Sequence, residues 1–154
     1  MVTGIRVITN SNKKEVLSLK VSEQQKGFIE PVSDCLADAE TDSRYVPVAL
    51  YQNGEIIGFA MYGKFGEQIW LDRYLIDERF QGRGLGKYFF RTLVKYLIKL
   101  FPNQSIYLSV FEENIVAIQM YMKFGFQFTV ELDENGESIM KYSNEGLKMG
   151  CKNK

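Results

Sequence analysis

The apolar positions of this chain change period along its length, and the changes mark out elements. Residues 4–9 form a short run rich in β-branched side chains, which predicts a strand. From 12 to 20, Val16, Leu17 and Leu19 follow helical spacing. No clean period covers 21–30, although Phe28 and Ile29 are apolar, and Pro31 is placed to open a second helix through Leu36 and Ala39. Residues 45–52 and 55–64 flank Asn53-Gly54, a strong hairpin signal, and read as antiparallel neighbours. A strand over 69–77 follows. From 84 to 101 two apolar rows, Leu85, Phe89, Leu93, Leu97 and Phe90, Val94, Ile98, predict a helix with a wide buried face, ended by Pro102 and Asn103. The apolar run 105–111 suits a central strand, and the single helix before it favours a parallel crossover. A helix capped by Asn114 and stopped by Gly125 comes next. Residues 126–132 and 138–142 then form a last hairpin turned at Asn135-Gly136, and 143–154 show no period and read as a tail.

These elements make a mixed α/β (α+β) chain. At 154 residues and 45% hydrophobic it suits one domain, spanning 1–142, with enough apolar material for a core. No 18-residue apolar run spans a bilayer, and the start lacks a charged region followed by an apolar one, so a cytoplasmic location is expected. Cys35 and Cys151 lie far apart, which makes a structural disulfide an unlooked-for feature in a reducing compartment. The absence of histidine excludes histidine triads and histidine metal sites, and no metal is expected.

The net charge of zero is unevenly spread. Residues 23–42 hold six acids against one lysine, net −5, and 79–101 hold six bases and no acid, net +6. Such a chain suits two ligands of opposite sign, a polyanion at the second stretch and a cation near the first. Both stretches also read as solvated helix faces, since Lys87, Arg91, Lys95, Lys99 and Asp34, Asp38, Asp42 recur at four-residue spacing. For Lys95 and Lys99 the solvated face is the expectation.

Candidate chemistry concentrates in Asp77-Glu78-Arg79-Phe80-Gln81-Gly82-Arg83-Gly84-Leu85-Gly86-Lys87. Three glycines at alternate positions ahead of a helix let the backbone take positive φ and aim N–H groups at one point, where the helix dipole favours an anion. A phosphate group is the expected guest. A nucleotide P-loop is excluded because Tyr88, with no hydroxyl placed for Mg²⁺, follows Lys87. The spacing G-x-G-x-G also fails the dinucleotide fingerprint.

The stretch does resemble the Q-x-x-G-x-G signature of the GNAT acetyltransferases, met by Gln81, Gly84 and Gly86, which in that family holds the pyrophosphate of acetyl-CoA. A second stretch is similar to the family's late helix, N-x-x-A-x-x-x-Y-x-x-x-G-F, met by Asn114, Ala117, Tyr121, Gly125 and Phe126. Along it Asn114, Ala117, Ile118 and Tyr121 share one face. The resemblance covers 45–142 well and the N-terminal third loosely. Within the family the chain looks most like the bacterial spermine/spermidine N-acetyltransferases, in Trp70-Leu71-Asp72-Arg73, Ile76-Asp77-Glu78-Arg79 and Gly125-Phe126-Gln127-Phe128.

The resemblance implies a GNAT fold: a mixed, mostly antiparallel sheet of about six to seven strands with about four flanking helices. The sheet would splay between the strand before the glycine loop and the strand at 105–111. It implies acetyl-CoA as acetyl-donor co-substrate and no metal. Gln81, Gly82, Arg83, Gly84, Leu85, Gly86 and Lys87 would hold the pyrophosphate, and Ile76 would support the pantetheine through its backbone. A backbone N–H of Tyr74 or Leu75 would meet the developing oxyanion. Asn114 would touch the pantetheine arm or simply cap its helix.

Amine acetylation sets the remaining roles. An amine with a pKa near ~10 must lose a proton before attacking the thioester, and the leaving thiolate must gain one. Tyr121 is the candidate acid, as in matching family members, with Asp72 as base or amine anchor. A carboxylate in mid-strand is costly unless paired, and burial raises its pKa; the polyamine enzymes carry an acid at the matching position. Strand alternation points Arg73 to the opposite face, which disfavours a direct pair with Asp72. Glu30 and Asp34 complete a candidate groove for a small polycationic amine.

Other acceptors suit an acidic site as well: a protein N-terminus, a lysine or an aminoglycoside. A non-catalytic acyl-CoA-binding regulatory module would dispense with Tyr121 and Asp72, both of which are present. Nucleic-acid binding is disfavoured by zero net charge and by the lack of basic residues interleaved with exposed aromatics. No membrane partner is expected, and a homodimer is left open.

Overall fold

A computed structural model describes residues 3–20 and 32–143. The elements run β1 (Thr3–Val7), α1 (Lys13–Leu17), α2 (Val32–Thr41), β2 (Tyr45–Gln52), β3 (Glu55–Phe65) and β4 (Gln68–Ile76). A 3₁₀ turn (Glu78–Phe80) leads to α3 (Leu85–Leu100), β5 (Ile106–Val110), α4 (Ile115–Phe124), β6 (Gln127–Leu132) and β7 (Ser138–Tyr142). Seven strands form one sheet in the order β1-β2-β3-β4-β5-β7-β6. Pairings β1–β2, β2–β3, β5–β7 and β6–β7 are antiparallel, and β4–β5 is parallel through Ile69–Ile106 and Trp70–Tyr107. The helix between β4 and β5 is the crossover that the sequence pattern predicts. Among the described residues no helix is long and apolar enough to cross a membrane.

By contact the chain falls into two compact units, Met1–Gly63 with Asp72–Phe90, and Lys64–Leu71 with Arg91–Lys154. In the first, Asn53 (φ 52°) and Gly54 (φ 83°) take the two left-handed positions of a tight hairpin turn. One side buries Ala49, Ile56, Phe59, Met61 and Leu75 with Val16, Leu19, Val32, Cys35 and Leu36. A second cluster joins Leu50, Ile57 and Ile76 to Leu85 and Phe89 at the start of α3. Gly58 is needed where β3 meets β4, because a Cβ there would stand 2.6 Å from the Leu75 carbonyl oxygen.

The first helix is shorter than its pattern over 12–20 predicts. The Asn12 carboxamide accepts from the Thr9 N–H and donates to the Val7 carbonyl, and the Ser18 hydroxyl donates to the Glu15 carbonyl. Local side-chain bonds of this kind compete with helix continuation.

In the second unit β5 buries Ile106, Leu108 and Val110 and leaves Tyr107 and Ser109 half-buried. Trp70 stacks on Tyr107 with ring centroids 5.3 Å apart. Phe124, Phe126 and Tyr142 pack together at the end of α4. There Gly125 (φ 129°) donates to the Tyr121 and Met122 carbonyls and stops the helix as expected. Arg91, Lys95 and Lys99 are exposed along α3, a solvated face.

Candidate active site

The glycine loop starts where β4 ends. Asp77, read by its pattern as the last strand residue, instead caps the 3₁₀ turn by accepting the Arg79 N–H. Gly82 and Gly84 have φ of 79° and 77°, values that a residue with a Cβ rarely adopts. Gly86 does not share this conformation; it lies in the first turn of α3. A Cβ added at Gly82, Gly84 or Gly86 would meet nothing within 4 Å, so the loop presents bare backbone to open space. The first N–H groups of a helix lack intrahelical acceptors, and Arg83 and Lys87 are exposed beside them. Bare backbone, a helix N-terminus and two cations make a donor set that fits a pyrophosphate.

The rim of the loop is fixed by side chains. The Gln81 carboxamide donates to the Ile76 carbonyl at 2.8 Å, and the Tyr74 hydroxyl donates to the Gly86 carbonyl. Gln81 thus holds the loop to the end of β4, a role its motif does not reveal. Leu75 and Ile76 are buried between these two ties.

Asp77 is almost fully buried, 2% exposed. Burial pushes its carboxyl up, but the hydrogen bonds from Arg79 and from the Lys20 N–H outweigh this and hold it below the usual carboxylate range. Its contribution to stability is therefore present above the ordinary carboxylate pKa and is lost only as pH falls through the lowered value. The sequence places this residue at the head of the candidate stretch but gives it no role of its own. The available signal was an Asp two places before a residue whose N–H it could accept.

Asp72 is half-buried in β4. Burial pushes the Tyr45 phenol up to about 12, and the charge of Asp72 and its hydrogen bond with Tyr45 act in the same direction. A phenol held neutral in this way donates to the carboxylate and orients it. The Arg73 guanidinium donates to the backbone carbonyl of Asp72 at 2.7 Å. Nearby in sequence, Arg44 binds Asp42 at 2.7 Å and holds its carboxyl down to about 2. Tyr45 was not singled out from the sequence, since nothing local marks it as a partner of residue 72.

On α4, Asn114, Ala117, Ile118 and Tyr121 are all half-buried, while Ile115, Val116 and Met122 are exposed, so the predicted face exists. Asn114 occupies the cap position, yet its side chain makes no capping hydrogen bond. Burial pushes the Tyr121 phenol up to about 12, with the Glu137 charge adding to it. Asp34 is exposed in the first turn of α2, a favourable place for an acid beside the helix dipole. Glu30 lies outside the described residues, as do the rest of the stretch 21–30 that has no sequence period, Pro31, and residues 144–154 of the expected tail.

The model of the Acetyltransferase (GNAT) family matches residues 13–126. The chain belongs to this family. Two relatives extend the likeness over nearly the whole GNAT chain. A spermine/spermidine N(1)-acetyltransferase of Bacillus subtilis (strain 168) is 47% identical over 148 residues, covering 91% of this chain and 97% of the relative. A probable spermine N(1)-acetyltransferase of Bacillus subtilis subsp. natto is 45% identical over the same span and shares of chain. Among solved structures, spermidine N-acetyltransferase from Vibrio cholerae in complex with CoA and spermine superposes with a TM-score of 0.74. It covers 93% of this chain and 96% of its own, and at 15% identity it bears on the fold.

Proposed function

We propose that this GNAT chain transfers the acetyl group of acetyl-CoA directly to a primary amine of a polyamine, spermidine or spermine. The observation that carries this reading is the 47% identity, over 148 residues, with an enzyme that bears that activity in its name. The bare glycine backbone with Arg83 and Lys87, and the half-buried Asp72 carboxylate bonded to Tyr45, support it from the side of the site. The proposal takes 1–142 as a single GNAT domain in a cytoplasmic protein.

Acetyl-CoA supplies an activated thioester carbonyl. The loop from Gln81 to Lys87 binds its pyrophosphate through the N–H groups around Gly82, Gly84, Leu85 and Gly86, and the Ile76 backbone supports the pantetheine arm. Asp72 anchors the cationic amine and draws off its proton, held in place by the Tyr45 hydroxyl. The N–H of Leu75 or Tyr74 stabilises negative charge on the carbonyl oxygen. Tyr121, whose phenol is pushed up to about 12 and so stays protonated into the alkaline range, gives its proton to the departing sulfur. Asp34, joined on sequence alone by Glu30, attracts the distal charges of a polycation.

A polyamine that gains several such contacts loses them to screening. Raising ionic strength from about 0.02 M to about 0.5 M shortens the reach of exposed charges several-fold. The KM for spermidine is expected to rise several-fold over that range, while that of a short monoamine changes little. Steady-state titrations at both salts check this, and equal salt dependence for the two amines would contradict an acidic acceptor groove.

A further inference from the structure

We propose that Asp77 is a positioning residue for acetyl-CoA: its carboxylate clamps the backbone at Lys20 to the 3₁₀ turn and thereby fixes the place of the glycine loop. The inference rests on the loop being the acetyl-CoA site. Asp77 is the one charged side chain among the described residues that is buried. Its Oδ2 accepts from the Lys20 N–H at 3.0 Å, and its Oδ1 accepts from the Arg79 N–H at 3.0 Å and from Arg79 Nε at 2.8 Å. The Glu78 N–H donates to the Lys20 carbonyl at 2.7 Å, so the turn grips residue 20 on both sides. The Asp77 N–H meanwhile donates to the Ile57 carbonyl of β3 at 2.8 Å.

Three pieces of chain distant in sequence thus meet at one residue, two at its carboxylate and β3 at its backbone N–H. Residue 20 is itself a firm point, because Leu19 beside it is buried in the cluster that includes Leu75. Beyond the turn, Gln81 is tied to Ile76 and Tyr74 to Gly86, whereas the glycines between them have open space around them. Glycine-rich backbone has no stiffness of its own, so the direction of its N–H groups is set by the frame at its ends. Arg79, bound to Asp77 and 4.0 Å from Glu55, has its charge committed to the frame, which leaves Arg83 and Lys87 for the phosphates. Loss of the clamp frees the loop to sample other directions, and binding must then restore order.

The carboxylate's two oxygens allow the clamp to be cut selectively. Asp77→Asn keeps an oxygen for Arg79 but sets an NH₂ group against the Lys20 N–H; Asp77→Ala removes both. Loss of a hydrogen bond to a charged group is expected to raise the KM for acetyl-CoA about ten-fold in Asp77→Asn, with kcat at saturation within about two-fold of wild type. Asp77→Ala is expected to raise it further. A merely structural role would lower the active fraction, hence kcat, and leave KM unchanged; that outcome, or a wild-type KM in Asp77→Asn, overturns the proposal.

Gly84→Val distinguishes loss of the clamp from loss of the loop as the acetyl-CoA site. A raised KM there with a wild-type KM in Asp77→Asn overturns the clamp alone, whereas an unchanged KM in folded Gly84→Val removes the loop as the acetyl-CoA site and the clamp with it. Amide exchange in wild-type protein needs no variant to fold. The Lys20 and Arg79 amides are expected to slow together when coenzyme A is added to saturation, and a Lys20 amide that coenzyme A leaves unaffected overturns the proposal.

Discussion

Tyr121→Phe is expected to lower kcat by about 10²–10³ while the KM for acetyl-CoA stays within about two-fold, because a general acid acts only as the sulfur departs. The substitution removes one oxygen and leaves the ring in contact with Phe126, whose centroid lies 6.3 Å away, so packing is kept. The pH profile of the wild type gives a second readout. An ordinary tyrosine is half-ionised near pH ~10, whereas burial and the Glu137 charge push Tyr121 up to about 12. The raised value preserves the protonated form as pH rises, so kcat should show no decline near pH 10 attributable to this phenol. A Phe variant with wild-type kcat would remove Tyr121 from the reaction.

Asp72→Asn is expected to lower kcat/KM by about 10² for every amine tested, since it removes both the anion that anchors the ammonium and the group that accepts its proton. Asparagine is close in shape, and its carbonyl oxygen can still accept from the Tyr45 hydroxyl, so the fold should survive. Thermal unfolding and acetyl-CoA binding near the wild-type values would show that the loss is local. If the loss lies in KM alone, Asp72 anchors; if kcat falls as well and its acid limb disappears from the pH profile, Asp72 also takes the proton. Activity within about two-fold of wild type for all amines would remove it from both roles.

What the sequence disclosed was what short-range rules govern. Asn53-Gly54 placed the first hairpin because positive φ at two adjacent positions selects those residues, and the rows of α3 placed its buried face because one period covers 16 residues. The helix stop at Gly125 was legible for the same reason. The glycine loop was legible in kind but not in detail: Gly82 and Gly84 need their positive φ, while Gly86 is helical and leaves open space. Long-range contacts were hidden. Asp77 reads as an ordinary polar residue at a strand end until Lys20, 57 positions away, is brought to its Oδ2. Gly58 carries no mark within the strand pattern 55–64 until the Leu75 carbonyl is brought to where its Cβ would be. Tyr45 gives no sign of its bond with Asp72. The end of α1 was misjudged because Ser18 fits a helical pattern by position while its hydroxyl takes up the Glu15 carbonyl.

The central claim, acetyl transfer from acetyl-CoA to a polyamine, is tested most directly by supplying purified protein and acetyl-CoA with spermine, spermidine, a short monoamine, a lysine peptide and an aminoglycoside in turn. Thiol release would be followed and each amine product identified by mass. The account predicts acetylated spermine and spermidine, with kcat/KM for these two above that for the other three. Thiol release with no acetylated polyamine, or a higher kcat/KM for the aminoglycoside or the peptide, would contradict it.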